Sequence, residues 1–234
     1  MKKIAIMQPY FFPYIGYFQL INAVDEFVVY DNIEFSKNGW VHRNRILQNG
    51  KDIFITLPLR KDSDFLFIDQ RFLADVWPEQ RTKMLNRIAA AYRKAPYFSH
   101  VLPLFEKCIF FSDLNLFRFL LHSLEETKKF LEIPTPIIVS STLPINHHLR
   151  SQEKVIALCR CQGATEYINP IGGLDLYEKS KFLDFEISLK FLAADEINYP
   201  QFGVSFLPFL SIIDVMMFNS VKQVREFLFC YTLR

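Results

Sequence analysis

The sequence predicts an α/β fold, and three features carry that reading. Strand and helix patterns alternate at both ends of the chain. The stretch between them is helical in period. Half of the 234 residues are hydrophobic and 22% are charged, enough apolar material for a packed core.

Taken in order, residues 4–8 read as a short buried strand. Residues 14–24 carry Ile15, Phe18, Ile21 and Val24 at helical spacing. Residues 26–31 (EFVVYD) are β-rich and end in an acid, which completes a β-α-β unit with parallel strands and a right-handed crossover. Asn49-Gly50-Lys51 separates β-prone runs at 45–48 and 52–59, a hairpin signal. Residues 61–74 carry no clear period. A helix is expected over 75–94 with Pro78 in its first turn, ended by Pro96. Helices over 99–110 and 115–131 follow, so residues 75–131 form a helical insert in one domain spanning 1–234. A buried strand is expected at 137–141, then a helix at 151–161 with Ser151 as N-cap and Gly163 beyond its end. Then come a strand at 165–169, a turn at Ile171-Gly172-Gly173, a short helix at 175–182 and a strand at 187–191. Residues 193–207 read as loop, and 211–219 and 220–229 as helices. No internal repeat is visible. The alternation indicates a Rossmann-like, mostly parallel sheet with an α-helical insertion.

Charge and composition narrow the function. The formal net charge is +2 with acids and bases interspersed, which excludes the basic stripe of a nucleic-acid binder. No run reaches the roughly 18–20 apolar residues of a membrane span. After Met1–Met7 the polar Gln8 and Pro9 interrupt what would be a signal peptide, so a cytoplasmic protein is expected. Cys159-Arg160-Cys161 is too closely spaced for a zinc half-site, which leaves all four cysteines as free thiols. His147 and His148 are adjacent, their side chains diverge, and no metal site is expected there.

Ligands of open parallel sheets bind outside the carboxyl ends of the strands, which directs attention to the turn Gln8–Tyr17. Gln8 ends the first strand, Gly16 allows close approach near a helix start, and Tyr10, Tyr14 and Tyr17 offer hydroxyls and ring faces. A second cluster runs from Asp31 to Arg45. Asp31 or His42 can act as base, Arg43 or Arg45 can fork onto a phosphate or carboxylate, and Lys37 and Asn44 add a cation and an amide. Asn169-Pro170-Ile171-Gly172-Gly173 follows a strand and can present backbone N–H groups to an anion, with Tyr177 close behind. Asp214 stands in a very apolar helix and must be paired or neutral if buried.

Two resemblances follow from these strings. Pro13-Tyr14-Ile15-Gly16-Tyr17 is similar to the Pro-x-His-x-Gly-His strand-to-helix turn of nucleotidylyltransferases and class I tRNA synthetases, with tyrosine in both histidine places. Neutral tyrosines donate hydrogen bonds but bring no positive charge to a pentavalent phosphate. Over nearly its full length the chain resembles the WbqC-like protein family. The carrying strings are Met7-Gln8-Pro9-Tyr10 with Phe12–Ile21, Tyr30-Asp31, Lys37, Gly39-Trp40, Arg43-Asn44-Arg45-Ile46, Tyr167–Gly173 with Tyr177, and Leu210–Asn219.

Members occur in gene clusters for surface polysaccharides, including O-antigen. The resemblance therefore implies an enzyme of activated-sugar tailoring, one that attaches an amino acid or acyl group to an amino sugar. Its partners would be a nucleotide-linked sugar and an acyl or peptidyl carrier protein with a thioester donor, and no metal. Family members often have Asn where this chain has His42, which favours Asp31, Lys37, Arg43 and Asn44. Asp31, His42 and Lys37 are the catalytic candidates. Gln8, Tyr10, Tyr14, Gly16, Tyr17, Arg43, Asn44, Asn169, Gly172, Gly173, Tyr177 and Asp214 are the substrate-binding candidates. The alternatives are a nucleotidyltransferase-like enzyme and a non-catalytic module of polysaccharide assembly. Convergence of Gln8, Tyr14, Asp31 and Arg43 in one pocket would separate an enzyme from the module.

Overall fold

The first strand, β1 (Lys3–Met7), buries Ile4, Ala5 and Ile6 because a central parallel strand is covered on both faces. After the turn that follows it, α1 (Ile15–Asn22) runs back along the sheet, and β2 (Glu26–Val29) pairs parallel with β1, from Ile4 opposite Glu26 to Met7 opposite Val29. These are features of a computed structural model that describes residues 1–203 and 205–234.

The hairpin forms from β3 (Arg43–Gln48) and β4 (Lys51–Thr56), a separate two-stranded sheet. Asn49 and Gly50 both adopt positive φ, 53° and 74°, the type I′ geometry that matches strand twist. Strand β3 starts at Arg43, two residues earlier than its β-propensity suggests. Three helices follow: α2 (Trp77–Tyr92) with Pro78 in its first turn, α3 (Phe98–Ile109), and α4 (Leu116–Phe130), whose N-cap Asn115 accepts from the Arg118 N–H.

Strand β5 (Ile137–Val139) pairs outside β2. It is an edge strand and half-buried, where the apolar run suggested a buried one. Helix α5 (Ser151–Cys161) has Arg150 in the cap position and no side-chain cap, so Ser151 does not cap it. Its end matches expectation. Gly163 takes φ 63°, and Ala164 N–H reaches back to Cys159 O, a Schellman closure.

Strand β6 (Glu166–Pro170) returns beside β1, in parallel. The helix expected at 175–182 is instead a 3-10 turn, Ile171–Leu176, then α6 (Lys179–Leu183). Tyr177 is extended between them and packs its ring edge-on against Tyr167 and Phe182, which breaks the helix. Strand β7 (Ser188–Ala194) runs parallel to β6. Helices α7 (Ile212–Phe218) and α8 (Val221–Phe227) lead to β8 (Tyr231–Leu233), a closing strand that sequence patterning misses; it pairs antiparallel with β7.

The main sheet has the order β5-β2-β1-β6-β7-β8, with five parallel strands and one antiparallel edge. This is the Rossmann-like arrangement expected. Side-chain alternation divides the core between the two faces: Ala5, Phe27 and Val29 join Phe11, Phe12, Trp77 and Phe119 on one, while Ile4, Ile6 and Val28 join Tyr167 and Phe182 on the other. The chain goes from β1 to strands on one side and returns at β6 on the other. The switch point therefore lies between β1 and β6, at their carboxyl ends. Among the described residues no helix is long and apolar enough to cross a membrane.

Candidate functional site

A cleft of about 310 Å³ opens at that switch point. The turn after β1 and the start of α1 supply Tyr10, Pro13, Tyr14, Gly16 and Tyr17; Trp40, ahead of the hairpin, and Asn44 and Arg45 of β3 supply the facing side. The carboxyl ends of β6 and β7 supply Pro170, Ile171, Leu192 and Ala194, and Phe209 closes the rim.

The turn owes its shape to the hairpin. Phe12 has φ 41°, a conformation that an L side chain rarely adopts. The buried Asn44 amide holds it there, donating to Phe11 O at 3.0 Å and Phe12 O at 2.8 Å, while its Oδ1 accepts from Arg45 N–H at 2.8 Å. Ser211 Oγ donates to Phe12 O from the other side at 2.7 Å. Asn44 therefore positions the turn; both its N–H donors are committed to the protein. A Cβ on Gly16 would sit 3.4 Å from the Tyr14 ring and 3.8 Å from Ala194, so glycine keeps the cleft wall open. Tyr17 donates its hydroxyl to Gln8 O at 2.8 Å and acts as a wall. Burial pushes the phenols of Tyr10 and Tyr14 above their ordinary value, so both are neutral hydroxyls near pH 7.

Arg45 is the cation of the cleft. Its Nη1 bonds Asp52 at 3.0 Å, its Nη2 donates to Phe209 O at 3.3 Å, and its guanidinium lies 5.6 Å from the Trp40 ring centroid. Its Nε is buried without an acceptor. Phe209, at φ 59°, packs edge-on against Tyr14.

The remaining candidates of the Asp31–Arg45 stretch lie outside the cleft lining. Arg43 donates to Asn38 O at 2.9 Å and sits 5.2 Å over Phe54. Lys37 is paired with Asp64 on the surface. His42 packs on Phe35, and its pKa is lowered to about 4 by burial first, then by the charges of Arg43 and Arg71. Its Nδ1 is buried and unpartnered. It is neutral near pH 7.

Asp31 is the centre of a different group, at the carboxyl ends of β2 and β5. It is buried, and its Oδ1 accepts from Ser140 Oγ at 2.8 Å and Ser141 N–H at 3.0 Å. Asn32 bonds Ser140, Lys154 Nζ and the ring of His147. His147, read as a poor metal ligand, is thus held in this network and also meets Leu143 O. Burial lowers the Lys154 pKa, opposed by Asp31 and Asp69. Burial and the charge of Asp31 raise that of Asp69. Lys154 gave no sequence signal, since its place depends on how α5 packs.

Asn169, Gly172, Gly173 and Tyr177 form the loop after β6. Asn169 accepts from Tyr167 and donates to Pro170 O, and its Nδ2 would be 2.0 Å from a Cβ on Gly173. Gly173 is needed for that packing; Gly172 faces open space. Only the loop's Pro170 and Ile171 reach the cleft. Asp214 is fully buried and accepts from Tyr92, Tyr199 and Gln201 at 2.8, 2.7 and 2.7 Å, tying Tyr199 and Gln201 to α2 and α7.

Of the four residues whose convergence was to separate an enzyme from a binding module, Tyr14 lines the cleft and Gln8, Asp31 and Arg43 do not, so the expected convergence is not met. The cleft is a concave, ring-walled site with two free-standing tyrosine hydroxyls and one cation, and with no Asp, Glu or His among its described lining residues. Such a site can enclose an apolar group, donate hydrogen bonds and stabilise a negative charge; it supplies no base of its own.

Comparison with known proteins places this geometry in context. A model of the WbqC-like protein family matches residues 8–226, which include the turn, the hairpin and the β6 loop. The chain is 29% identical over 234 residues to "Uncharacterized protein Rv1507c" of Mycobacterium tuberculosis (strain ATCC 25618 / H37Rv), covering 97% of this chain and 98% of that one. No solved structure matches.

Proposed function

We propose, since the chain belongs to the WbqC-like protein family, that it is a cytoplasmic transferase of surface-polysaccharide sugar tailoring. It moves an acyl or aminoacyl group from a carrier-bound thioester to the amine of a nucleotide-linked amino sugar. The observation that supports this reading best is the cleft at the switch point, where Arg45 and the neutral hydroxyls of Tyr10 and Tyr14 stand against apolar walls. In the reaction the amine nitrogen attacks the thioester carbonyl carbon, and a C–N bond forms as the carbonyl π pair moves onto oxygen. Donors at that oxygen lower the barrier. The C–S bond then breaks, and the amine's proton ends on the departing thiol. Asp31 and His42 lie off the cleft lining, so the amine enters as its free base.

The test is direct. Purified protein is incubated with loaded carrier and a panel of nucleotide-linked amino sugars, and the sugars are read by mass spectrometry. A sugar heavier by the transferred group supports the reading; an unchanged panel, with acyl- and aminoacyl-loaded carriers alike, rejects it. A nucleotidyltransferase-like reading draws on the same cleft beside the tyrosine-bearing turn. It predicts a thermal shift with ATP, CTP or UTP plus magnesium and release of pyrophosphate.

A further inference from the structure

We infer that the cleft is the acyl pocket of this reaction, and that it takes an uncharged, apolar acyl group in preference to an aminoacyl group, with the acyl carbonyl oxygen at Arg45. This deepens the transferase reading and rests on it. Three observations carry the choice.

The walls are rings and aliphatic groups from Met7, Tyr14, Leu192 and Phe209, a poor match for the hydroxyl-rich body of a nucleotide-linked sugar. No carboxylate lines the described cleft, so the α-ammonium of an aminoacyl group would be stripped of water without a partner. Arg45 lines the cleft, and each of its Nη nitrogens spends one N–H on the protein, Nη1 on Asp52 and Nη2 on Phe209 O, which leaves each with a second N–H. An acyl oxygen that accepts from one of these N–H groups gains most when it carries the negative charge of the tetrahedral intermediate. Asp52 and Phe209 O hold the guanidinium in place at the rim.

The experiment uses straight-chain carboxylates, whose head group stands in for the acyl oxygen. Trp40 lies at the cleft and is 41% exposed, whereas the chain's other tryptophan, Trp77, is fully buried, so ligand entry is read from Trp40 fluorescence, with Trp40→Phe as the blank. Butanoate, hexanoate and octanoate should tighten about fourfold per added CH₂ until the cleft is full. The zwitterion 2-aminooctanoate should bind at least tenfold more weakly than octanoate. Arg45→Ala should weaken octanoate at least tenfold. Ala194→Phe, which fills the wall with Arg45 retained, should abolish the gain from butanoate to octanoate, and it keeps the test decisive if Arg45→Ala does not fold.

Affinity independent of chain length, or equal affinity for octanoate and 2-aminooctanoate, overturns the inference. So does binding of uridine monophosphate at Trp40 where the carboxylates fail; the cleft would then hold the sugar nucleotide and the transferase reading would stand. The two failures separate in the carrier assay. Product from aminoacyl-loaded carrier with none from acyl-loaded carrier refutes the acyl preference alone, and no product from either refutes the transferase.

Discussion

Replacing Asn44 with alanine should unfold the opening turn at a cost that can be worked from its bonds. The side chain makes three buried hydrogen bonds, to Phe11 O, Phe12 O and Arg45 N–H. Phe12 O keeps a donor in Ser211 Oγ, so the substitution orphans two backbone groups, Phe11 O and Arg45 N–H. Each buried orphan costs about 1–3 kcal/mol, and some water entry at the cleft reduces the sum, giving about 3 kcal/mol. Asn44→Asp is nearly isosteric but faces carboxylate oxygens towards two carbonyls, so it should cost at least as much. Ser211→Ala removes one of two donors to Phe12 O and the side-chain cap on the Ile213 N–H of α7, and should cost about 1–2 kcal/mol. Because Asn44 and Ser211 share that acceptor, the double variant should lose more than the sum of the singles. Urea unfolding followed by far-UV circular dichroism measures all four proteins. If Asn44→Ala costs under about 1 kcal/mol while Asn44→Asp is milder still, Phe12 does not depend on this amide and the reasoning is wrong.

Three further outcomes are expected. His42 takes up its proton only as pH falls below about 4, whereas in the unfolded chain it does so below about 6.5. Acid between those values therefore favours the unfolded chain, and His42→Asn should lose less stability than the parent between pH 6.5 and 4, with the parent imidazole titrating near pH 4 by NMR. Asp214→Ala leaves Tyr92, Tyr199 and Gln201 without their shared acceptor, and should cost about 3–5 kcal/mol and expose the chain at Tyr199–Gln201 to protease, read by thermal melting and limited proteolysis. Gly173→Ala must displace the Asn169 amide and should cost about 1–3 kcal/mol, whereas Gly172→Ala should stay within about 0.5 kcal/mol; paired chemical melts compare them.

The order of strands and helices was legible because period and punctuation are local: Asn49-Gly50 set the hairpin, Gly163 the end of α5, and the run EFVVYD the second strand. Strand β8 was not, since three residues carry too little alternation and exist as a strand only through β7. The site was half legible. Placing Asp31 and Gln8 at the same sheet edge was sound, but an edge is wider than a pocket. Asp31 sits over β2 and β5 and is absorbed by Ser140 and Ser141, more than 100 residues away in sequence. The same distance problem hid the contribution of Phe209, which joins the cleft through Arg45, 164 residues earlier. One clue was available locally. Arg43 and Arg45 flank Asn44 on a strand, and if two arginines face outward, the residue between them faces in.

That alternation couples shape to charge. On β3 the inward Asn44 fixes the turn, and the next residue turns outward to bring its guanidinium to the cleft. Asn44 Oδ1 grips the Arg45 N–H, and Ser211 N–H grips the Arg45 carbonyl at 2.8 Å, so the backbone of the cation is clamped from both sides. The hairpin has no strand pairing with the main sheet, and these bonds, with those to Phe11 and Phe12, fasten its first strand over the switch point. Loosening Asn44 therefore moves wall and cation together and must lower stability and binding in step. Truncating Arg45 beyond its Cβ leaves the clamp in place. Binding lost without a matching loss of turn geometry is the behaviour that distinguishes a ligand-facing cation from one that merely holds the hairpin down.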